Sequence, residues 1–317
     1  MTQITDTARE TYQRGPHWVA VAAAIFTWPL LFVGGLVTSY KVGMAVPDWP
    51  TTFGINMFLY DFFNSPWGVF IEHTHRLYGA AVGLATIILV LWFMIADRTN
   101  QRMVGLVWFA LIAVIGQGLL GGLRVNYIST TLAAVHGSTG QAFFGLMVAI
   151  AVLTSRSWRL SPTTMADPSH IRQNSVLLVG LVYGQELLGV WLRHFPSRGG
   201  LVVHAVVAMA VIGQAIGLIL RIHRDRVDLP LLIPSTRCLA ITLAIQVALG
   251  LGAWWVLEFP GAPKDLSALL RTGHQANAAL LLGASLTLTL RANRHLVSQA
   301  ALVSPPTHAL DKLEAVR

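Results

Sequence analysis

Eight times along its length this chain runs apolar for about the 20 residues that a helix needs to cross a bilayer: near 19–40, 67–96, 103–123, 131–154, 175–191, 201–220, 238–257 and 266–290. A soluble fold lacks the polar surface to cover so many such runs. Only 11% of the residues are charged and 54% are apolar, where soluble domains carry roughly 25% charged residues. The expected fold is an all-α integral membrane protein of eight transmembrane helices, with both termini on one side of the lipid bilayer.

A formal net charge of +8 raises the question of a nucleic-acid partner, but the basic residues form no stripe or arm. They sit in the connections between spans. The two tails and the alternate loops hold 15 of them, among them Arg9, Arg98, Arg156, Arg226, Arg294, Lys312 and Arg317. The opposite loops hold 6: Lys41, Arg124, Arg193, Arg198, Lys264 and Arg271. That bias places both termini in the cytoplasm and requires no nucleic acid. The first 18 residues are polar and a full-length span follows, so the start reads as a retained anchor in a bacterial cytoplasmic membrane. Cys238 is the single cysteine, which excludes an internal disulfide, a CxxC pair, a thiolate zinc site and an iron–sulfur cluster made by this chain alone.

The longest cytoplasmic connection, 155–174, carries Pro162, Thr163, Thr164 and Pro168 and divides the chain into halves, 1–154 and 175–317. Each half reads as a four-helix bundle, and the two are pseudo-symmetric. Gly116-Gln117-x-Leu119-Leu120-Gly121 recurs as Gly184-Gln185-x-Leu187-Leu188-Gly189, a shift of 68 residues that also relates His136 to His204. Gln246-x-x-Leu249-Gly250 precedes His274 in the same way, and Val33-Gly34-Gly35-Leu36 echoes the motif without its glutamine. The unit is two helices, repeated four times. Close helix packing and polar contact between spans explain the Gly and Gln positions, with direct cofactor contact as the alternative.

His75, His136, His204 and His274 each lie just inside the outer end of an even-numbered span, where an imidazole must find a partner. One such residue could be a hydrogen-bonded packing histidine; four at equivalent positions point to a metal. The fourth residue after each is small, Gly79, Gly140, Ala208 and Ala278, and shares its helical face, leaving room for a flat macrocycle. Haem iron takes axial imidazoles from opposite sides, so four histidines make two sites, His75 with His136 and His204 with His274. Zinc is the competing metal, disfavoured because no cysteine accompanies the four apolar-flanked histidines and no HExxH pair occurs. The remaining histidines, including His73, His17, His194, His295 and His308, read as solvated or interfacial.

Glu72 precedes His75 by three residues and shares its face, with Arg76 beside it. It either pairs with Arg76 as an anchor of the helix end or handles protons next to the first haem. No acid occupies this position before the other three histidines, so the first half is the expected reaction site. Arg124, Arg193, Lys264 and Arg271 are candidates for haem propionates, though simple loop charge explains them equally well. The loop Val46-Pro47-Asp48-Trp49-Pro50 is stiffened by two prolines and either caps the first pocket or anchors at the interface.

Glu72-x-x-His75-Arg76, the Pro47-Asp48-Trp49-Pro50 loop and single histidines on the fourth, sixth and eighth spans together resemble the haem A synthase family over nearly all the chain. The resemblance implies oxidation of a ring methyl of haem O to a formyl group, by successive hydroxylations and loss of water, giving haem A for cytochrome oxidase. It implies that His75 and His136 embrace the substrate porphyrin, that Glu72 assists, that Arg76 belongs to the binding site, and that His204 and His274 hold a resident haem b. Some relatives carry two cysteines where this chain has Val46 and Thr52, so that disulfide cannot form and loop order falls to the prolines and packing. The implied partners are a haem O synthase and an electron donor, and a homo-oligomer stays open. Two other classes compete: a non-catalytic di-haem electron-transfer cytochrome and a haem carrier.

Overall fold

The computed structural model describes residues 14–159, 164–225, 231–259 and 261–297. Arg9, Arg226, His308, Lys312 and Arg317, and Pro162 and Thr163 of the expected linker, lie outside the described residues.

Eight long helices follow one another: α1 Arg14–Ser39, α2 Trp67–Ala96, α3 Gln101–Asn126, α4 Thr130–Thr154, α5 Ile171–His194, α6 Arg198–Arg224, α7 Leu232–Glu258 and α8 Lys264–His295. They coincide with the eight apolar runs. Local chemistry sets several starts, since the side chains of Asn100, Ser129 and Ser197 accept from the backbone N–H groups of Met103, Leu132 and Gly200, which would otherwise be unpaired. The remaining described elements are a helical turn at Arg156–Arg159 and two short strand pairs. β1 (Thr51–Thr52) pairs antiparallel with β2 (Ile55–Asn56), and β3 (Met165–Ala166) pairs parallel with β4 (Leu296–Val297).

Seven helices, α1 to α7, are long and apolar enough to cross a membrane, so the chain is a multi-pass helical membrane protein. The expected eighth span, α8, does not meet that measure. Its surroundings explain why: α8 packs against α7, α5, α1 and α4 and so is lined by protein more than any other helix. Several of its polar residues are paired within the molecule. Asn277 donates to the Thr242 carbonyl and to Gln246 Oε1, Thr289 to the Ser175 carbonyl, and Arg291 to Ser235 and the Leu231 carbonyl. A helix walled by protein needs no apolar coat.

Helices α1 to α4 pack in sequence and α4 returns to α1; α5 to α8 do the same, and α8 returns to α5. Each set encloses its own apolar cluster, one around Val82, Leu89, Phe93, Val107 and Met147, the other around Leu178, Leu218, Leu239, Leu282 and Leu288. Both clusters lie past the histidines toward the other ends of the helices, which leaves the histidine ends free to hold a site. Between the two sets, α4 and α8 approach through reciprocal glycines. A Cβ at Gly145 would stand 2.9 Å from Leu286, and one at Gly283 would stand 3.3 Å from Phe144.

Candidate haem-binding and reaction site

The four helices that carry the histidines bring them together in two pairs. The rings of His75 (α2) and His136 (α4) have centroids 6.2 Å apart and lie at 85° to each other. Those of His204 (α6) and His274 (α8) are 6.3 Å apart at 77°. A metal bound to one nitrogen of each ring at roughly 2 Å, with each ring centre roughly 1 Å further out, spans about 6 Å in total. Both pairs therefore have the spacing of two axial imidazoles on one iron. Nδ1 of His75 lies 3.1 Å from the Leu30 carbonyl, the kind of outer contact that fixes a ligating imidazole. Nδ1 of His136, His204 and His274 is buried without a hydrogen bond among the described residues. Among the described residues no three His, Cys, Asp or Glu side chains converge, so the tetrahedral zinc alternative has no donor set.

The repeated glycines explain how the rings are seated. A Cβ at Gly34 would stand 2.8 Å from Cε1 of His75, one at Gly121 3.3 Å from His136, one at Gly189 3.1 Å from His204, and one at Gly250 2.9 Å from His274. Each odd-numbered helix thus presents a glycine to the imidazole of the next even-numbered helix. The packing reading of the motif holds, with the histidine itself as the packed group. Its glutamines make polar contacts across the same pair of helices: Gln117 donates to Thr139 Oγ1, Gln185 donates to the His204 carbonyl, and Gln246 approaches His274.

The first pair opens on a cavity of about 330 Å³ that Glu72, Arg76, Arg124 and Trp49 also line. Gly79 faces it with nothing within 4 Å of where its Cβ would be. Glu72, 1% exposed, is fully engaged: Oε1 accepts from Arg76 at 3.0 Å and Oε2 from the backbone N–H of Val46 at 2.9 Å. Arg76 donates further to the carbonyls of Val46, Asp48 and Thr51. The pair therefore fastens the 46–51 loop across the cavity. Trp49 of that loop occupies the space a Cβ at Gly122 would need, at 2.3 Å. Hydrogen bonds from buried charge order the loop, which the sequence assigned to prolines and packing.

Three positions differ from expectation. Arg193 is no simple loop charge: from the last turn of α5 it donates to the Gly35 carbonyl at 2.7 Å and to Ser39 on α1, and to the Arg271 carbonyl on α8. It also lines the first cavity, so the second set of helices contributes to the first site. His73 is fully buried, stacked on Phe62 at 4.8 Å and 3.2 Å from Thr52 Oγ1, because the aromatic outer loop folds over it. His295 is buried as well. Glu186 went unremarked in the sequence, masked by the Gln185 motif beside it, yet it is 7% exposed.

Asp48 organises the tip of the loop. Burial pushes its carboxyl up, but the Gly54 N–H, the Thr51 hydroxyl and the Phe53 N–H together hold it below its ordinary value. A carboxylate held low adds stability above its unfolded value and loses that contribution as pH falls through the folded one. Protection of the Phe53 and Gly54 amides against hydrogen exchange, corrected for intrinsic rates, is expected to collapse below about pH 4. In Asp48→Asn it should be weak already at neutral pH. A pH-independent loop in the wild type would refute this.

Among sequence families, COX15-CtaA, described as cytochrome oxidase assembly protein, matches residues 16–197. Individual relatives include the haem A synthase of Lysinibacillus sphaericus (strain C3-41), 23% identical over 145 residues, which cover 44% of this chain and 45% of that protein. The haem A synthases of Listeria monocytogenes (serotype 4a, strain HCC23) and Listeria innocua (serovar 6a) are each 27% identical over 140 residues, 43% of either chain. The chain thus spans less than half the length of these relatives. The family match takes in more than half of this chain, including Glu72, His75, Arg76 and His136, and on that footing the chain belongs to the COX15-CtaA family of cytochrome oxidase assembly proteins.

Proposed function

We propose that the protein is a haem A synthase, an oxidoreductase that converts a ring methyl of haem O to a formyl group by successive hydroxylations and loss of water. One observation carries the reading: two imidazole pairs share the spacing of axial ligands, and one of them faces a cavity walled by a carboxylate and three guanidinium groups. In this reading His75 and His136 hold the substrate porphyrin, while His204 and His274 hold a resident haem b. That haem supplies one-electron redox chemistry.

The chain's own residues orient and seclude the substrate. The small side chains at Gly79 and Gly140 give the macrocycle a flat bed. Trp49 and the loop held by Glu72 and Arg76 cover part of the cavity and so restrict the access of water. Arg124 and Arg193 supply cations for the carboxylates of the porphyrin. Glu72, with one oxygen on Arg76 and the other on Val46 N–H, would handle protons or orient a reacting group beside the substrate porphyrin.

The same reading makes 1–154 and 175–317 two pseudo-symmetric four-helix bundles joined by the 155–174 linker. α8 is then the eighth crossing, both termini are cytoplasmic and the address is a bacterial cytoplasmic membrane. A haem O synthase supplies the substrate, and a membrane electron donor serves the resident haem.

The test is expression in cells that make haem O but no haem A, followed by mass analysis of the extracted porphyrins. A formyl-bearing haem A is expected. Recovery of haem b and unaltered haem O alone would overturn the proposal in favour of an electron-transfer cytochrome or a carrier.

A further inference from the structure

Glu186 sits in the middle of α5 and is 7% exposed, yet neither carboxyl oxygen has a hydrogen bond among the described residues, and no ion pair reaches it there. Its titratable neighbour is Tyr183, one turn earlier on α5, whose hydroxyl donates to the Ser138 carbonyl on α4 instead. Two further acceptors at the boundary between the helix sets are also buried and unpartnered, Oε1 of Gln141 on α4 and Oε1 of Gln275 on α8.

The register of the helices groups these residues. Gly137 on α4 meets Val190 on α5, so one turn further along the antiparallel pair Gln141 comes level with Glu186. Gln141 in turn donates to the Gln275 carbonyl at 3.5 Å. Gln275 lines the cavity of the first histidine pair and directly follows His274 of the second. The group therefore lies between the two pairs and reaches one of them.

Four buried oxygens that only accept hydrogen bonds cannot satisfy one another. The missing hydrogens must come from a protonated carboxyl and from water, which settles where several polar atoms converge. An ionised carboxylate with no cation beside it is the costliest alternative in such surroundings.

We propose that Glu186 is a neutral, proton-carrying carboxylic acid whose proton reaches the first cavity through water bound by Gln141 and Gln275. This role rests on the haem O oxidation proposed above. Each hydroxylation, with dioxygen as the oxidant, takes up two electrons relayed by the resident haem and two protons, one oxygen atom entering a methyl C–H bond and the other leaving as water, so the cavity needs a carrier for each. Glu186 accepts or returns a proton at its carboxyl oxygens, the water between passes it on, and the glutamine amides hold that water in place.

Infrared difference spectra of the full-length holoprotein in lipid nanodiscs, recorded in H2O and D2O, test this directly. The wild type should show the C=O stretch of a protonated carboxyl, moved down in D2O. The band should be missing in Glu186→Gln, whose thermal unfolding should match the wild type, and displaced in Gln141→Leu. In turnover, Glu186→Gln should lower kcat by about tenfold or more with haem O binding unchanged, a split that a packing role would not produce. Absence of the band from the wild type, its survival in Glu186→Gln, or an unaltered kcat in that variant overturns the proposal. Should the wild type yield no formyl product, the functional reading fails while the infrared result still decides the state of Glu186.

Discussion

Replacing Gly250 with valine is expected to strip the second haem from the purified protein as completely as His204→Ala or His274→Ala. The valine Cβ would arrive 2.9 Å from Cε1 of His274, inside any tolerated contact, and the approach is to a ring edge backed by the α7–α8 interface. The ring has to move, and an axial ligand tolerates displacement of only a few tenths of an ångström before the bond is lost. The three variants should therefore share one phenotype, loss of the haem b Soret band and of its pyridine haemochrome, although one of them keeps all four histidines. Added porphyrin should still bind at His75 and His136, whose ring separation of 6.2 Å depends on other helices. Gly34→Val should do the converse, leaving haem b in place and abolishing porphyrin uptake at the first site, because Gly34 seats His75 at 2.8 Å. Full, unchanged haem b in His204→Ala and His274→Ala would show that the ligands are paired differently.

The reach of sequence reasoning follows from which interactions are local or repeated. The eight helices were legible because bilayer thickness writes itself into run length. The four histidines were legible because His136 and His204 repeat at the same spacing as the glycine motifs. The glycine motif itself was visible, but its partner was not, since a glycine does not announce which side chain fills the space it leaves. Contacts across the two helix sets left no sequence pattern. Arg193 looked like one of several charges at a span end, and only the fold brings it to Gly35 and Ser39, more than 150 residues away in the chain. Glu186 has no counterpart in the other copies of the repeat, so a search by repetition passes over it. α8 was expected as a span from its apolar run, and its low hydropathy became intelligible once its neighbours were seen to be protein. His73 failed for the same reason in reverse: the outer loop that buries it reaches back from as far as Thr52, 21 residues upstream, and carries no signal of folding over it.

Glu72→Gln is expected to abolish formation of haem A, lowering the rate by roughly 100-fold or more, while haem b and the 46–51 loop stay in place. The argument turns on what each substitution leaves behind. The carboxylate has two structural jobs, accepting from Val46 N–H and from Arg76. A glutamine oxygen still meets one donor, and its neutral amide weakens only the contact with Arg76, which keeps the carbonyls of Val46, Asp48 and Thr51. Alanine leaves a buried guanidinium without its counter-ion and a backbone N–H without an acceptor, and breaking a buried pair in this way costs about 3–5 kcal/mol. Glu72→Ala should accordingly lose turnover and loop order together, seen as faster exchange of the loop amides, and so cannot by itself separate anchoring from chemistry. Glu72→Gln can, because it removes the titratable group and leaves most of the scaffold. If that variant made haem A within two- to threefold of the wild-type rate, the carboxylate would be an anchor for the loop and the proton transfer assigned to it would belong elsewhere in the cavity.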